Sequence, residues 1–291
     1  VKKVTLVFNP ISGRGKSAAA AEVAALEFRR ASLEVDVRPT AAAGDARRFA
    51  AELPADADAL VVVGGDGTLN EAVTGLVRDV PVGLVPVGTA NVVARDLRLP
   101  FSPVRAARTI LAGNARRIDV GRVNDRRFVA MVGVGFDGEI VRAIAAARRG
   151  PISQLTYVRP SIAALRSFRA RPLRLTVDGV ELPEDFYGVF VCNTRCYGGH
   201  FAVAPDARID DGVFHFAAWT DGTKARLLRY AWAGLLKREA DRARYGSGRR
   251  FRIAAKDGAA VAAQADGDPT DSTPLDVETL PGAVSLFVPG D

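Results

Sequence analysis

Ala59-Leu60-Val61-Val62-Val63-Gly64-Gly65-Asp66-Gly67-Thr68 is an apolar, β-branched run that breaks into a glycine-rich turn. The run reads as a buried strand, and the glycines that end it let backbone N–H groups converge on phosphate oxygens without interference from a Cβ. Asp66 stands where it can hold a metal or its water, and Thr68 where it can cap a following helix. A carboxylate inside an anion-binding turn makes chemical sense when a cation is shared with the bound phosphate.

On either side the pattern repeats. Residues 4–8, 35–37 and 82–85 are further short β-branched runs, separated by alanine-rich helical stretches at 17–31 and 45–53. Alternation of this kind predicts an α/β domain with a parallel sheet, whose ligands gather at the carboxyl ends of the strands. Three polar, glycine-bearing turns fall at such ends, at 9–15, 64–68 and 88–91. Beyond residue 119 the texture changes to strand-like segments at 127–132, 173–177, 187–192, 213–219, 251–255 and 284–288, with helices expected near 138–148 and 224–237. The expected organisation is an α/β domain over 1–118, with 280–291 as a candidate closing segment, and a mostly β domain over 119–279.

Composition narrows the classes. With 291 residues, 48% hydrophobic and 25% charged, the chain can bury a core and is not of the disordered type. Lys and Arg exceed Asp and Glu by 40 to 33, a net charge of +7 that favours acidic partners. No clustered basic and aromatic stacking platform points to nucleic acid, so none is expected as a partner. Cys192 and Cys196, with two histidines in the chain, lack the ligands of a structural zinc site; they read as small core residues, with a disulfide second. No leader and no apolar stretch near the ~20 residues that cross a bilayer is seen, which predicts a cytoplasmic protein or one peripheral to the inner membrane face.

Several motifs have competing readings. Asn9-Pro10-Ile11-Ser12-Gly13-Arg14-Gly15-Lys16-Ser17 is not a P-loop, because Pro10 stands where that motif needs glycine. It remains a strand, a tight turn and a helix start, where Asn9, Ser12 and the Gly13 amide can meet phosphate. Gly133-Val134-Gly135-Phe136-Asp137-Gly138 has the dinucleotide spacing, yet residues 140–177 contain no acid to bind a ribose, so close backbone packing is the expected use. In that acid-free stretch Arg142, Arg148, Arg149, Arg159, Arg166, Arg169, Arg171 and Arg174 lie among Ile144, Ile152, Leu155, Tyr157, Ile162, Leu165 and Phe168. They suit an anionic membrane surface or an ordinary solvated face; Arg226, Arg229, Lys237 and Arg238 around Trp232 pose the same choice. Asp266-Gly267-Asp268 offers two carboxylates at a strand end or is a merely solvated turn; Arg208-Ile209-Asp210-Asp211-Gly212-Val213 is a plain turn or one whose alternating carbonyls and carboxylate suit a hard cation.

Taken in order, Asn9-Pro10 with Ser12-Gly13, Thr40 and Gly44, Gly64 to Thr68 with Asn70-Glu71, Gly88-Thr89-Ala90-Asn91, Ile118-Asp119-Val120-Gly121, Asp210-Asp211-Gly212 and Asp266-Gly267-Asp268 resemble the diacylglycerol kinase catalytic family. Sphingosine and ceramide kinases belong with it, and NAD kinases and phosphofructokinases share the glycine-rich turn. The resemblance implies a Rossmann-like α/β domain followed by a sandwich-like β domain, with ATP bound in the cleft. It implies nucleotide contacts from Asn9, Pro10, Ser12, Gly13, Thr40, Gly64, Gly65, Asp66, Gly67, Thr68, Asn70, Glu71, Gly88, Thr89 and Asn91. It implies a catalytic Mg²⁺ organised through water by Asp66 and Asp119, and a structural one held by the Asp211 carboxylate with the carbonyls of Arg208 and Val213. The Asp266-Gly267-Asp268 turn matches the general-base element, with Asp266 placed first as base and Asp268 as the alternative. Two positions depart from the family pattern: Val92 stands where many bacterial members have an acid, and Asp268 where a glutamate is usual.

The implied activity is transfer of the γ-phosphoryl group of ATP to a lipid hydroxyl. Alternatives are an NAD kinase-like transfer to a soluble acceptor, or a nucleotide- or lipid-binding homologue impaired in catalysis. The acceptor lipid and the oligomeric state, a homodimer among the options, are left open.

Overall fold

The computed structural model describes residues 1–147, 166, 168–197, 201–235 and 243–290. They form two compact units, Val1–Ile118 with Gly282–Asp291, and Asp119–Pro281.

In the first unit the chain runs through β1 (Lys3–Phe8), α1 (Ser17–Arg30), β2 (Glu34–Pro39), α2 (Asp45–Ala51), β3 (Ala59–Gly64), α3 (Asp66–Gly75), β4 (Val82–Pro86), α4 (Val92–Asp96) and α5 (Pro103–Ala112). The strands are parallel, in the order β2-β1-β3-β4, and Leu286 near the chain end pairs in parallel with Val82. Every residue of β3 is buried, as expected for a central parallel strand covered on both faces. α1 packs its Ala20, Ala21, Ala24, Ala25 and Phe28 stripe into the core beside Val4, Leu6, Val61 and Val63. Alanine on that stripe lets the helix approach the sheet closely.

α2 and α3 approach each other closely as well. A Cβ on Gly75 would lie 2.0 Å from the Arg47 backbone carbonyl oxygen, an atom that cannot turn aside. Gly75→Ala is therefore expected to cost about 1–3 kcal/mol through overpacking, read as a lower urea midpoint; an unchanged midpoint would show that the helices have room to separate.

The second unit is built from β5 (Ala115–Val123), which enters it from the first, β6 (Arg126–Phe128), β7 (Met131–Gly135), α6 (Phe136–Ala147), β8 (Leu173–Val177), β9 (Val180–Glu181), β10 (Gly188–Cys192), β11 (Cys196–Tyr197), β12 (Phe201–Ala202), β13 (Phe214–Trp219), α7 (Lys224–Leu235), β14 (Ala243–Gly248), β15 (Arg250–Ala255), β16 (Ala263–Ala265), β17 (Asp268–Pro269) and β18 (Leu275–Phe287). One antiparallel sheet has the order β14-β13-β10-β7-β16-β17. A second layer runs β18-β15-β8-β9, with β5 and β6 alongside. Alternate residues of the first sheet, Val132, Val134, Val189, Val191, Phe214 and Phe216, bury against Leu173, Leu175, Phe251, Ile253, Leu275 and Val277 of the second.

The structure corrects several boundaries. The strand expected at 127–132 splits into β6 and β7, because the backbone N–H groups of Val129, Ala130 and Met131 turn toward the Asp266 carboxylate. The segment at 284–288 is the end of the 13-residue β18. Thr68 is not a helix cap: α3 starts at Asp66 behind Gly65, and Thr68 is buried in the first turn against Gly64. Cys192 and Cys196 are not joined in a disulfide; burial first, then the charge of Asp137, pushes the Cys192 thiol up out of its reactive range. Arg148, Arg149, Arg159, Ile152, Leu155, Tyr157, Ile162 and Leu165 of the basic stretch lie outside the described residues, as do Lys237 and Arg238, and so does the side chain of Trp232.

Candidate functional site

Parallel pairing brings the carboxyl ends of β1, β3 and β4 side by side, and the three glycine turns meet there. The Val87 N–H donates to the Gly64 carbonyl at 2.9 Å, the Asn9 N–H to the Val63 carbonyl at 3.4 Å, and the Thr40 N–H to the Phe8 carbonyl at 2.9 Å. Contact is backbone on backbone: a Cβ on Gly88 would lie 2.4 Å from the Gly65 Cα, and one on Gly13 2.3 Å from the Val87 carbonyl oxygen. Gly13 also adopts a φ of +60°, which favours glycine. The turn after Asn9 is self-supporting, with Asn9 Oδ1 accepting the Ile11 N–H at 3.1 Å. Pro10 and Ser12 are half-buried in that turn.

No side chain caps the N-terminus of α3. Its first amides have no partner within the helix ladder; that of Asp66 faces its own carboxylate, which leaves those of Gly67 and Thr68, and Gly67 is exposed, with nothing within 4 Å of where its Cβ would be. That is the donor array a phosphate needs. Asn70 is buried, bonded to Thr74 Oγ1 at 3.1 Å, and Glu71 is half-buried on the same helix. Thr89 is exposed between Gly88 and Asn91.

Asp66 lies against the start of α4. Its Oδ1 accepts the Val93 N–H at 3.3 Å. Burial pushes its carboxyl above the usual range, while backbone amides from Val93, Val92 and Asn91 pull the other way. Asn91 holds this corner with a left-handed φ of +48°, its Nδ2 donating to the Gly88 carbonyl at 2.7 Å. Beside Thr40, Asp45 accepts the Ala41 and Ala42 N–H groups at 2.8 and 2.9 Å; these two bonds and Arg48 hold its carboxyl down to about 2.

In the second unit the Asp119 and Asp211 segments connect to the Asp266-Gly267-Asp268 turn through the side chain of Asn193 and the backbone at Val129. Asp266-Gly267 is a two-residue hairpin turn between β16 and β17, with φ of +52° and +84°, the pair of positive angles that Asp-Gly suits. The Asp266 carboxylate accepts N–H groups from Val129 at 2.6 Å, Ala130 at 2.8 Å and Met131 at 3.0 Å. It is the clamp of the turn. Asp268 is different: its side chain is 55% exposed and pairs with Arg126 at 3.1 Å. Asn193, missed in the sequence, is fully buried and donates from Nδ2 to the carbonyls of both Asp119 and Val129, at 2.8 and 2.7 Å. The only signal for it was its place at the end of an apolar strand run.

Asp119 is buried, and its Oδ2 accepts the Gly212 N–H at 2.6 Å, so it pins the loop that carries Arg208, Asp211 and Val213. Asp211 Oδ1 accepts the Val213 N–H at 3.2 Å, and its Oδ2 lies 3.1 Å from His215 Nε2. Both oxygens of the Asp211 carboxylate are thus engaged within the loop, one by the Val213 amide and one by the His215 ring. Among the described residues no group of three His, Cys, Asp or Glu side chains could hold a metal by itself.

Residues 3–123 match the diacylglycerol kinase catalytic domain, and residues 130–288 the YegS C-terminal NAD kinase beta sandwich-like domain. A diacylglycerol kinase of Bacillus subtilis (strain 168) is 31% identical over 81% of this chain and 79% of its own length. One from Mycobacterium tuberculosis (strain H37Rv) is 30% identical over 99% of this chain and 96% of its own. The crystal structure of a diacylglycerol kinase from Bacillus anthracis strain Sterne superposes with a TM-score of 0.78 at 22% identity, covering 99% of this chain and 97% of that one. These matches define a kinase whose catalytic domain is followed by a β-sandwich-like domain. The chain belongs to the diacylglycerol kinase family.

Proposed function

We propose that the protein transfers the γ-phosphoryl group of ATP to a hydroxyl of a lipid, diacylglycerol-like or sphingoid, with Mg²⁺. The observation that carries this reading is the uncapped N-terminus of α3 at the carboxyl edge of the parallel sheet, with Asp66 beside it, in a chain of this family. Residues 1–118, completed by 280–291, bind the nucleotide, and residues 119–279 the lipid. Amides of the Gly13 and Gly65–Thr68 turns meet phosphate oxygens, with Asn9, Thr40, Asn70, Glu71 and Thr89 around them. The candidate Mg²⁺ ligands are Asp66 in the first unit, which would act through water, and in the second Asp119, with Asp211 and the carbonyls of Arg208 and Val213 as candidates for a further cation. When bound, the cation neutralises charge on the transferring phosphoryl group.

The general base must take the acceptor's proton as the new bond forms. The geometry favours Asp268 over Asp266 for this role, because Asp266 directs its carboxylate at three backbone N–H groups while Asp268 is on the surface. Incubation with γ-labelled ATP and either a total lipid extract or NAD tests the function. A labelled lipid is expected; label in NAD alone would move the reading to a soluble acceptor, and nucleotide binding without any transfer would leave an inactive homologue.

Peripheral association with an anionic inner membrane face rests on the basic stretch. Its described arginines Arg142, Arg166, Arg169, Arg171 and Arg174 are all exposed, with Arg171 paired to Asp257 and Arg174 to Glu181. No helix among the described residues is long and apolar enough to cross a membrane. Equal sedimentation with neutral and anionic vesicles would remove the proposal.

A further inference from the structure

Beneath the Asp266-Gly267-Asp268 hairpin lies a buried polar pair, Gln264 and Asp137. Gln264, fully buried on β16, donates from Nε2 to Asp137 Oδ2 at 2.8 Å and accepts the Gly267 N–H on Oε1 at 2.7 Å. Asp137, also buried, is in the first turn of α6. Gln264 therefore joins the helix to the hairpin with both ends of one amide.

The surrounding glycines make room for it. Gly133 is paired in register with Gln264, and a Cβ there would lie 2.2 Å from Asp137 Oδ2 and 2.9 Å from Gln264 Nε2. A Cβ on Gly138 would lie 2.4 Å from the Ala262 backbone, just before β16. The glycine pattern Gly133-Val134-Gly135-Phe136-Asp137-Gly138, which resembles a dinucleotide motif, thus serves to seat α6 and its carboxylate against the strand that bears the hairpin. Asp266 grips the hairpin from the start of the same neighbouring strand, through the 129–131 backbone that leads into β7.

We infer that Gln264 and Asp137 are positioning residues: the Asp137–Gln264–Gly267 chain of hydrogen bonds sets where the hairpin holds Asp268 relative to the acceptor hydroxyl. A single amide supplies the donor to Asp137 and the acceptor for Gly267, so its chemistry cannot be reversed on one side alone. This inference rests on the kinase reading for its catalytic consequence, but not for the clamp itself.

The test exchanges donor and acceptor. Gln264→Glu sets a carboxylate oxygen against Asp137 while leaving an acceptor for Gly267, and should lower turnover by about 10–100-fold, the scale of an ångström-sized misplacement, with the KM for ATP little changed. Adding Asp137→Asn supplies a donor amide opposite the new carboxylate, and the double variant should recover most of the lost turnover. Full activity in Gln264→Glu, or a double variant no better than that single one, would overturn the inference.

Hydrogen exchange gives a readout that needs no turnover. In Gln264→Ala the Gly267 amide should exchange at least ~10-fold faster, with the amides of β10 unchanged, as expected for local opening of one hydrogen-bonded unit. Unchanged Gly267 exchange would remove the clamp. A wild-type protein that phosphorylates no lipid overturns the kinase reading alone, and the exchange result then decides the clamp.

Discussion

Asp66→Asn is expected to abolish phosphate transfer, by at least ~1,000-fold in turnover, the upper scale for loss of one preorganised charge-stabilising group. The substitution keeps an oxygen able to accept the Val93 N–H that Asp66 Oδ1 receives at 3.3 Å. What it removes is the negative charge, and with it the capacity to hold a cation through water beside the α3 amides. Burial raises the Asp66 carboxyl from its ordinary range, so the native fold carries a charge it only partly solvates. Its removal should leave the melting temperature within about 3 °C of wild type, a shift that corresponds to roughly 1 kcal/mol in a protein of this size. Undiminished labelling of lipid by the folded variant would remove Asp66 from any metal role.

The second large effect separates two aspartates one residue apart. Asp268→Asn should lower turnover by about 100–10,000-fold, the contribution of general-base catalysis. Its stability should hardly change, because the ion pair it loses is half-exposed and such surface pairs contribute about 0–1 kcal/mol. Asp266→Asn should behave differently. It retains one carbonyl oxygen where two carboxylate oxygens now receive three N–H groups, so about 1–3 kcal/mol of stability should go with the unsatisfied amides. Asparagine tolerates the left-handed φ at that position, so the loss reports the hydrogen bonds and not backbone strain. Paired thermal melts and turnover numbers check both; full activity in Asp268→Asn with a dead but stable Asp266→Asn would return the base to Asp266.

How much of this was legible from the chain depends on where each partner lies. The first unit was readable because its central strands are buried on both faces, and Leu60 to Val63 or Val82 to Val85 must then be nearly continuous apolar runs. The second unit was harder. β16 has three residues and β17 two, too short to show a period, and β14 reads Ala-Arg-Tyr-Gly-Ser-Gly, with no apolar alternation. The turn at Asp266-Gly267 was visible as a turn. That its carboxylate is spent on amides 135–137 positions earlier was not, since nothing local records such a bond. Gln264 and Asn193 escaped for the same reason, each a single polar residue in or just after an apolar strand. The glycines at 133 and 138 were read as backbone packing, and the close approaches to Asp137, Gln264 and Ala262 supply the cause.

By itself the amino-acid order determined the α/β class of the first unit, the β character of the second, the three glycine turns and the family, because strand burial, glycine geometry and motif order are local and leave their marks in consecutive residues. Tertiary structure alone decided which polar groups face one another: that Asp66 receives the amides of α4, that Asp266 clamps and Asp268 stays exposed, and that Gln264 links α6 to the hairpin. Those choices depend on pairing between segments far apart in the chain, where a hydrogen bond's worth is set by burial and by the distance of its partner.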